Sequence, residues 1–356
     1  MHIGLIGFPQ AGKRTLLRLL TGIEAQVAPS NGAAIPAVCQ VRDPRVDRLA
    51  AMYRPQKLTR ATIHYLLMPD MTKDSAKNQE LLTALERVDL LGLVVRAFGD
   101  DTVFHLEGSV DPLRDLDMIL GELILNDLLF VEKRLERLAK DQTRRGGVDR
   151  AKEQALLARL QAHLNDGQPL RTMALGAEEV PLLASAPLLT RKPLLVILNV
   201  GEDDVRSSHL LDEVVRRDVR RGLTVVQVSA KIEQELSQLD DPAERAAFLK
   251  ELGIAESAID RLTRVSYDAL GLISYFTVGA DEVRAWTVRR GASAAEAGGV
   301  IHSDIERGFI RAEHISYDDL TALGSEQAVA AAGKLQLKSK EYVVCDGDIL
   351  NFRFNV

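Results

Sequence analysis

Short apolar runs recur along the first part of the chain, and segments with helical spacing separate them. Five of these runs have the length of a strand and lie at residues 2–7, 61–68, 89–98, 194–199 and 224–229. The run 89–98 is almost wholly apolar, which is typical of a parallel strand that is covered on both faces. The alternation predicts an α/β fold with a doubly wound, mostly parallel sheet.

Two long helices interrupt this alternation. Between Pro112 and Lys140 apolar residues recur at helical spacing. A second helix is predicted for residues 151–164, after the glycine-containing sequence TRRGGVDR. The two helices are expected to form an antiparallel hairpin.

Basic residues surround the predicted tip of this hairpin. They are Arg137, Lys140, Arg144, Arg145, Arg150 and Lys152. In a chain with a formal net charge of −6, such a cluster indicates a nucleic-acid contact. A helix end that is simply solvated would also explain it.

The C-terminal segment has a different pattern. Residues 272–356 contain short strand-like runs, YFTVG, VRAWTV, GFIRAEHI, YVVCDGDIL and NFRFNV, with glycines between them. A small β-grasp-like α+β module fits this pattern. The predicted domains are therefore 1–110 with 190–271, then 111–189, then 272–356.

Composition narrows the class of protein. The chain has 356 residues, 46% hydrophobic and 27% charged, which is typical of soluble globular proteins. It has two cysteines, too few for a disulfide framework. A reducing, cytoplasmic location is therefore expected. The first residues do not resemble a signal peptide, and no apolar run approaches the roughly 20 residues of a membrane span. A membrane partner is therefore not expected.

The first glycine-rich loop carries the clearest chemistry. Residues 7–13, GFPQAGK, match G-x-x-x-x-G-K between a predicted strand and a predicted helix. Backbone N–H groups of such a loop wrap phosphate oxygens, and its lysine reaches the β- and γ-phosphates. The predicted phosphate-binding residues are Gly7, Pro9, Gln10, Ala11, Gly12, Lys13, Arg14 and Thr15.

The residue after the lysine departs from the usual pattern. A Ser or Thr there holds Mg²⁺, but this chain has Arg14, which carries only donors and a fixed charge. Thr15 lies one position too late for that role. Arg14 is expected to pair with β- or γ-phosphate oxygens directly, in partial replacement of the ion.

The same loop resembles the G-[LF]-P-N-V-G-K-S-T signature of the Obg-like (YchF-type) ATPase family. Gln10, Ala11 and Arg14 depart from that signature. Segments 41–57, 88–98, 105–135 and most of 266–356, including YFTVGADEVRAWTV and FRFNV, are also similar to the family. The resemblance implies a P-loop NTPase domain, an inserted helical coiled-coil hairpin and a C-terminal TGS domain.

The resemblance also implies that the segments that contact the γ-phosphate and Mg²⁺ in the family are altered in this chain. Where the family carries Asp-x-x-Gly, this chain has Met68 and Met71, and Asp70 is interpreted as a solvated loop carboxylate. The switch segment 29–35 is short. Phosphoryl transfer depends on positioning and charge neutralisation, so weak or lost hydrolysis is expected. No metal ligand and no catalytic residue is assigned.

The base-reading motifs are better preserved. Asn199 and Glu202 match the N-x-x-E of the family, which favours ATP, and Ser229, Ala230 and Lys231 resemble its second base-contacting loop. ATP, or alternatively GTP, is thus the expected cofactor. The seven histidines show no metal-binding spacing, and His105 and His302 are interpreted as structural.

Three functions remain open. The first is a nucleotide-dependent switch that binds the ribosome or RNA, without DNA sequence specificity, and hydrolyses nucleotide weakly or not at all. The second is an active ATPase that recovers Mg²⁺ through Asp70 or Thr15. The third is a nucleotide-free scaffold that keeps only the hairpin and TGS surfaces.

Overall fold

A computed structural model describes residues 1–22, 34–140 and 148–355. The chain forms two compact units, one of residues 1–37 and 64–261 and one of residues 38–63 and 262–356. The division into three domains remains a prediction.

Twelve strands are defined in the described residues. They are β1 (His2–Ile6), β2 (Ile35–Gln40), β3 (Lys57–Thr59), β4 (Thr62–Leu67), β5 (Leu90–Ala97), β6 (Leu194–Val200), β7 (Leu223–Val228), β8 (Leu272–Thr277), β9 (Glu282–Arg289), β10 (Phe309–Ser316), β11 (Gln336–Lys338) and β12 (Asp348–Phe354).

Thirteen α-helices accompany them over the same parts of the chain. They are α1 (Lys13–Thr21), α2 (Pro44–Tyr53), α3 (Ser75–Leu85), α4 (Pro112–Lys140), α5 (Val148–Asn165), α6 (His209–Arg217), α7 (Ala230–Gln238), α8 (Pro242–Glu251), α9 (Ala258–Ala269), α10 (Ala294–Ile301), α11 (Ser303–Arg307), α12 (Tyr317–Leu323) and α13 (Glu326–Ala331).

The first sheet has the strand order β2-β4-β1-β5-β6-β7. β1 pairs in parallel with β4 and β5, and β5, β6 and β7 continue the parallel pairing. Every residue of β6 is buried, as its apolar sequence requires for a strand with helices on both faces. The doubly wound sheet is confirmed, and its five predicted strands agree with the structure to within one or two residues.

The predicted helical hairpin is also present, as α4 and α5. Its core is an apolar cluster of Val131 on α4 with Leu156, Leu157, Leu160 and Leu164 on α5. Helix α5 begins at Val148, slightly before the predicted start.

A buried carboxylate fastens the middle of α4 to the chain that precedes β6. Asp127 is 0% exposed. Its carboxylate accepts bonds from the backbone N–H of Leu189 at 2.9 Å and from the N–H and hydroxyl of Thr190 at 2.8 and 2.7 Å. Burial raises the pKa of Asp127, and these bonds act in the opposite direction. The carboxylate thus satisfies three donors that would otherwise lose water without replacement.

The second unit contains a mixed sheet in the order β11-β10-β12-β8-β9-β3. Tyr275, Val288, Ala297 and Phe352 contribute to its core. The α+β prediction for this segment is confirmed. Within the run 342–350 the strand β12 begins at Asp348, because the carboxylate of Asp348 accepts the Cys345 N–H and closes a turn before it.

Within the described ranges, no helix is long and apolar enough to cross a membrane.

Candidate nucleotide site

The phosphate loop connects the end of β1 to the start of α1, and two of its glycines hold conformations that other residues rarely adopt. Gly7 has φ of 146° and Gly12 has φ of 96°. A Cβ on Gly7 would collide with the carbonyl of Val94, and one on Gly12 would approach the Asn199 Nδ2 closer than 3.0 Å. The loop therefore needs glycine at both positions for backbone shape and for space.

Gln10 at the crest of this loop also has a positive φ, 61°. Non-glycine residues are strained in this region, which Asn tolerates better than Gln. The family signature has Asn at this point, a residue that adopts this conformation at lower cost.

Lys13 is buried, with 4% exposure, and its ammonium has three acceptors. Nζ donates to the carbonyls of Gly7 and Phe8 at 2.7 Å each and lies 2.6 Å from Oδ1 of Asp70. Burial lowers the pKa of Lys13, and the Asp70 carboxylate opposes that effect.

Asp70 is therefore more than the solvated loop carboxylate that the sequence suggests. Its side chain is 50% exposed on one side and paired with Lys13 on the other. The sequence shows a carboxylate near the end of β4 but not the path of the loop that brings it to the lysine.

Met68 and Met71, which the sequence interpretation places at the family's Asp and Gly, belong to the core. Met68 is 2% and Met71 1% exposed, and both lie in the apolar cluster that packs α3 and α4 on the sheet. The Met71 N–H donates to the Gly7 carbonyl at 3.1 Å.

A cavity of about 460 Å³ lies over the loop. It is lined by residues 10–15 of the loop and α1, by Ile35 and by residues 67–70 after β4. Arg14 is exposed and Thr15 half-buried. The structure thus brings Gln10 through Thr15 to one cavity, with Pro9 and Gly7 in the same loop.

The predicted base-reading residues lie at the end of β6 and just after β6 and β7, whose carboxyl ends lie at the same sheet edge as the phosphate loop. Nδ2 of Asn199 donates to the Ala11 carbonyl at 3.0 Å, and Oδ1 accepts the Ala230 N–H at 3.1 Å. Asn199 thereby joins the phosphate loop to the base loop, a role that the sequence interpretation misses.

The other base-loop side chains differ in exposure. Glu202 and Lys231 are exposed and form an ion pair at 2.6 Å. The Ser229 hydroxyl is buried without a hydrogen-bond partner. The cavity over the phosphate loop is lined by other residues, and Ser229 lines a second cavity beside Gln227 and Glu233.

His105 and His302 both have structural partners. Nε2 of His105 lies 3.0 Å from the Asp115 carboxylate, and its Nδ1 accepts the Glu107 N–H. His105 and Asp115 also line a small cavity with Pro9 of the phosphate loop. His302 caps α11 by accepting the Asp304 N–H. Among the described residues, no group of His, Cys, Asp or Glu is arranged to hold a metal ion.

The basic residues of the hairpin are partly engaged. Arg137 and Lys140 are exposed near the end of α4. Arg150 donates to the Leu138 carbonyl, and Lys152 pairs with Glu178 at 3.1 Å. Arg144 and Arg145 lie outside the described residues.

A glycine loop between a parallel strand and a helix, with a buried lysine and an Asn from another strand of the same sheet, defines a P-loop NTPase domain. Residues 272–355 match the family YchF-GTPase_C, described as "Protein of unknown function (DUF933)". The ribosome-binding ATPase YchF of Bacillus subtilis is 39% identical over 99% of both chains. Obg-like ATPase 1 of Oryza sativa is 35% identical over 100% of this chain and 92% of its own.

Solved structures show the same likeness. The Schizosaccharomyces pombe YchF GTPase superposes with a TM-score of 0.85 at 33% identity, over 99% of this chain and 97% of its own. A GTP-binding protein from Pyrococcus horikoshii shares the fold, with a TM-score of 0.62 at 19% identity. The chain belongs to the YchF/Obg-like ATPase family.

Proposed function

We propose that the chain is a nucleotide-binding, ribosome-associated protein that prefers ATP to GTP and whose hydrolytic activity is weak or lost. One observation carries the proposal. The loop keeps the shape and the lysine that hold phosphates, while the groups that would act on a γ-phosphate are engaged within the protein or replaced.

The loop retains what nucleotide binding requires. Gly7 and Gly12 hold the strained backbone, and Asn199 fixes the loop against the base loop. Catalysis requires more, namely a positioned metal ion and a stabilised transition-state charge. Arg14 stands in the metal-holding position and Met68 in that of the supporting carboxylate. Arg14 is exposed at the cavity, where its guanidinium can pair with phosphate without any requirement for Mg²⁺.

One observation favours the alternative of an active ATPase. Asp70 lines the cavity with half of its side chain exposed, and a carboxylate there is a ligand type that Mg²⁺ accepts. Turnover that requires Mg²⁺ and Asp70 would support this alternative.

The preference for ATP rests on Glu202. A guanine-reading Asp accepts two hydrogen bonds from the base, and Glu202 is one methylene longer and paired with Lys231. We expect competition titrations to show tighter binding of ATP than of GTP, and Glu202→Asp to shift the preference toward GTP. Glu244→Asp, the same change at an exposed residue of α8, is the control and should leave both affinities unchanged. A wild-type preference for GTP of tenfold, roughly 1.4 kcal/mol, would contradict the assignment.

The ribosome or RNA is the proposed partner, because relatives that match 99% of the chain are named ribosome-binding. The exposed basic residues at the hairpin supply the proposed contact. Phosphate contacts by such side chains release counterions and make affinity fall with salt.

Charge reversal tests the hairpin. We expect Arg137→Glu with Lys140→Glu to weaken ribosome or RNA binding and to lower the salt slope by about 1 for each phosphate that is no longer neutralised. Arg216→Glu with Arg220→Glu, an equal change at exposed residues of α6 and the turn after it, should have much less effect. If the two double variants bind alike, the hairpin is not the contact.

A further inference from the structure

The ammonium of Lys13 already has a full set of partners. An ammonium has three N–H donors. Those of Lys13 face the Gly7 and Phe8 carbonyls and the Asp70 carboxylate, at 2.7, 2.7 and 2.6 Å. A phosphate that is to pair with Lys13 must displace at least one of these acceptors, and Asp70 is the one that can leave toward solvent, being half-exposed.

Asp70 is placed to compete with one particular phosphate of a bound nucleotide. In a P-loop the backbone N–H groups cradle the α- and β-phosphates, and the lysine reaches the β- and γ-phosphates. Asp70 reaches Lys13 from the loop after β4, which lines the cavity together with the phosphate loop. The family resemblance places this loop beside the γ-phosphate, so the carboxylate is expected to compete with the third phosphate more than with the first two.

The backbone on that side is also engaged. The Met71 N–H, which the family resemblance places against a γ-phosphate, donates to the Gly7 carbonyl instead. The side chains of Met68 and Met71 are anchored in the core, so this segment is not free to turn its N–H groups toward the cavity. A third phosphate therefore meets the Asp70 carboxylate and no available N–H from Met71. The exposed Arg14, which lines the same cavity, can pair with a β-phosphate as well as with a γ-phosphate, so its charge serves both nucleotides.

We propose that Asp70 determines the phosphate specificity of the site, so that a nucleoside diphosphate binds more tightly than the corresponding triphosphate. The inference rests on the proposed nucleotide binding. The preference would arise because the Asp70 carboxylate and the γ-phosphate are both negative and repel each other where both approach Lys13. At about 4 Å such a pair interacts strongly in the partly screened environment of a protein surface. Because Asp70 is half-exposed, screening reduces the effect, and a preference of about tenfold is expected.

Binding of ADP and ATP tests the proposal without any reference to turnover. Affinities of wild type, Asp70→Asn and the control Asp166→Asn are measured by calorimetry in EDTA and again with Mg²⁺. Asp166 is an exposed residue just after α5, and its variant removes the same charge. Wild type and the control are expected to bind ADP about tenfold more tightly than ATP, whereas Asp70→Asn gains about tenfold for ATP and much less for ADP.

Three outcomes overturn the inference. Wild type that binds ATP as tightly as ADP shows that the carboxylate does not discriminate. Equal gains for ADP and ATP in Asp70→Asn show a general effect of charge. If Mg²⁺ reverses the preference in wild type but not in Asp70→Asn, the carboxylate is a metal ligand rather than a competitor. Failure of all folded variants to bind either nucleotide would instead refute the proposed nucleotide binding itself.

Discussion

Replacement of Gly12 by alanine is expected to weaken nucleotide binding severely. A Cβ at Gly12 would come closer than 3.0 Å to Nδ2 of Asn199, which also holds the Ala11 carbonyl. The variant must shift the loop or break its link to the base loop, at a φ of 96° that alanine disfavours. We expect a loss of roughly 100-fold or more in ATP and ADP affinity, equivalent to about 2.7 kcal/mol.

Gly121→Ala is the matched control for this variant. Gly121 lies within α4, and a Cβ there meets nothing within 4 Å. Alanine should leave nucleotide affinity unchanged and stabilise the helix by up to about 1 kcal/mol. If Gly12→Ala keeps wild-type affinity in a calorimetric titration, the loop geometry described above is not the one that binds phosphate.

The second large effect is expected on stability. Asp127→Ala removes the acceptor of three buried donors from Leu189 and Thr190 and leaves a gap on α4. Each unsatisfied buried donor costs about 1–3 kcal/mol, although relaxation recovers part of this. We expect the free energy of unfolding, measured by urea denaturation, to fall by about 3 kcal/mol or more.

Two further variants serve as comparisons for Asp127→Ala: Asp166→Asn is the control, and Asp127→Asn is an intermediate case. Asp166 is exposed and should change stability by less than about 0.5 kcal/mol. Asp127→Asn retains one oxygen acceptor, so its loss should fall between those of the alanine variant and wild type. An Asp127→Ala protein as stable as wild type would show that α4 is held by its apolar contacts alone.

The parallel sheet and the hairpin are predictable from sequence because their signals are local. Apolar runs such as 89–98 and 194–199 indicate strands that are buried on both faces, and the spacing of leucines in α4 indicates a helix. The glycine loop is predictable for the same reason, since its residues are contiguous in the chain.

Contacts between distant residues are not predictable in the same way. The pairing of Asp70 with Lys13 depends on the path of the loop after β4, which the altered Asp-x-x-Gly sequence leaves undefined. The double role of Asn199 depends on the three-dimensional approach of β6 to the phosphate loop. The turn before β12 includes a hydrogen bond from the Cys345 N–H to the Asp348 carboxylate, and the sequence pattern does not show this contact.

The central claim is that the site binds nucleotide while hydrolysis is weak or lost. Titration of the full-length protein with labelled ATP and GTP, with and without Mg²⁺, followed by product analysis of the same samples, tests it most directly. We predict one saturable site, tighter for ATP than for GTP, little dependence on Mg²⁺ because Arg14 supplies fixed positive charge, and product formation near that of a protein-free blank. Mg²⁺-dependent ATP turnover as fast as that of the Bacillus subtilis relative measured beside it, or no binding of either nucleotide, would contradict the claim.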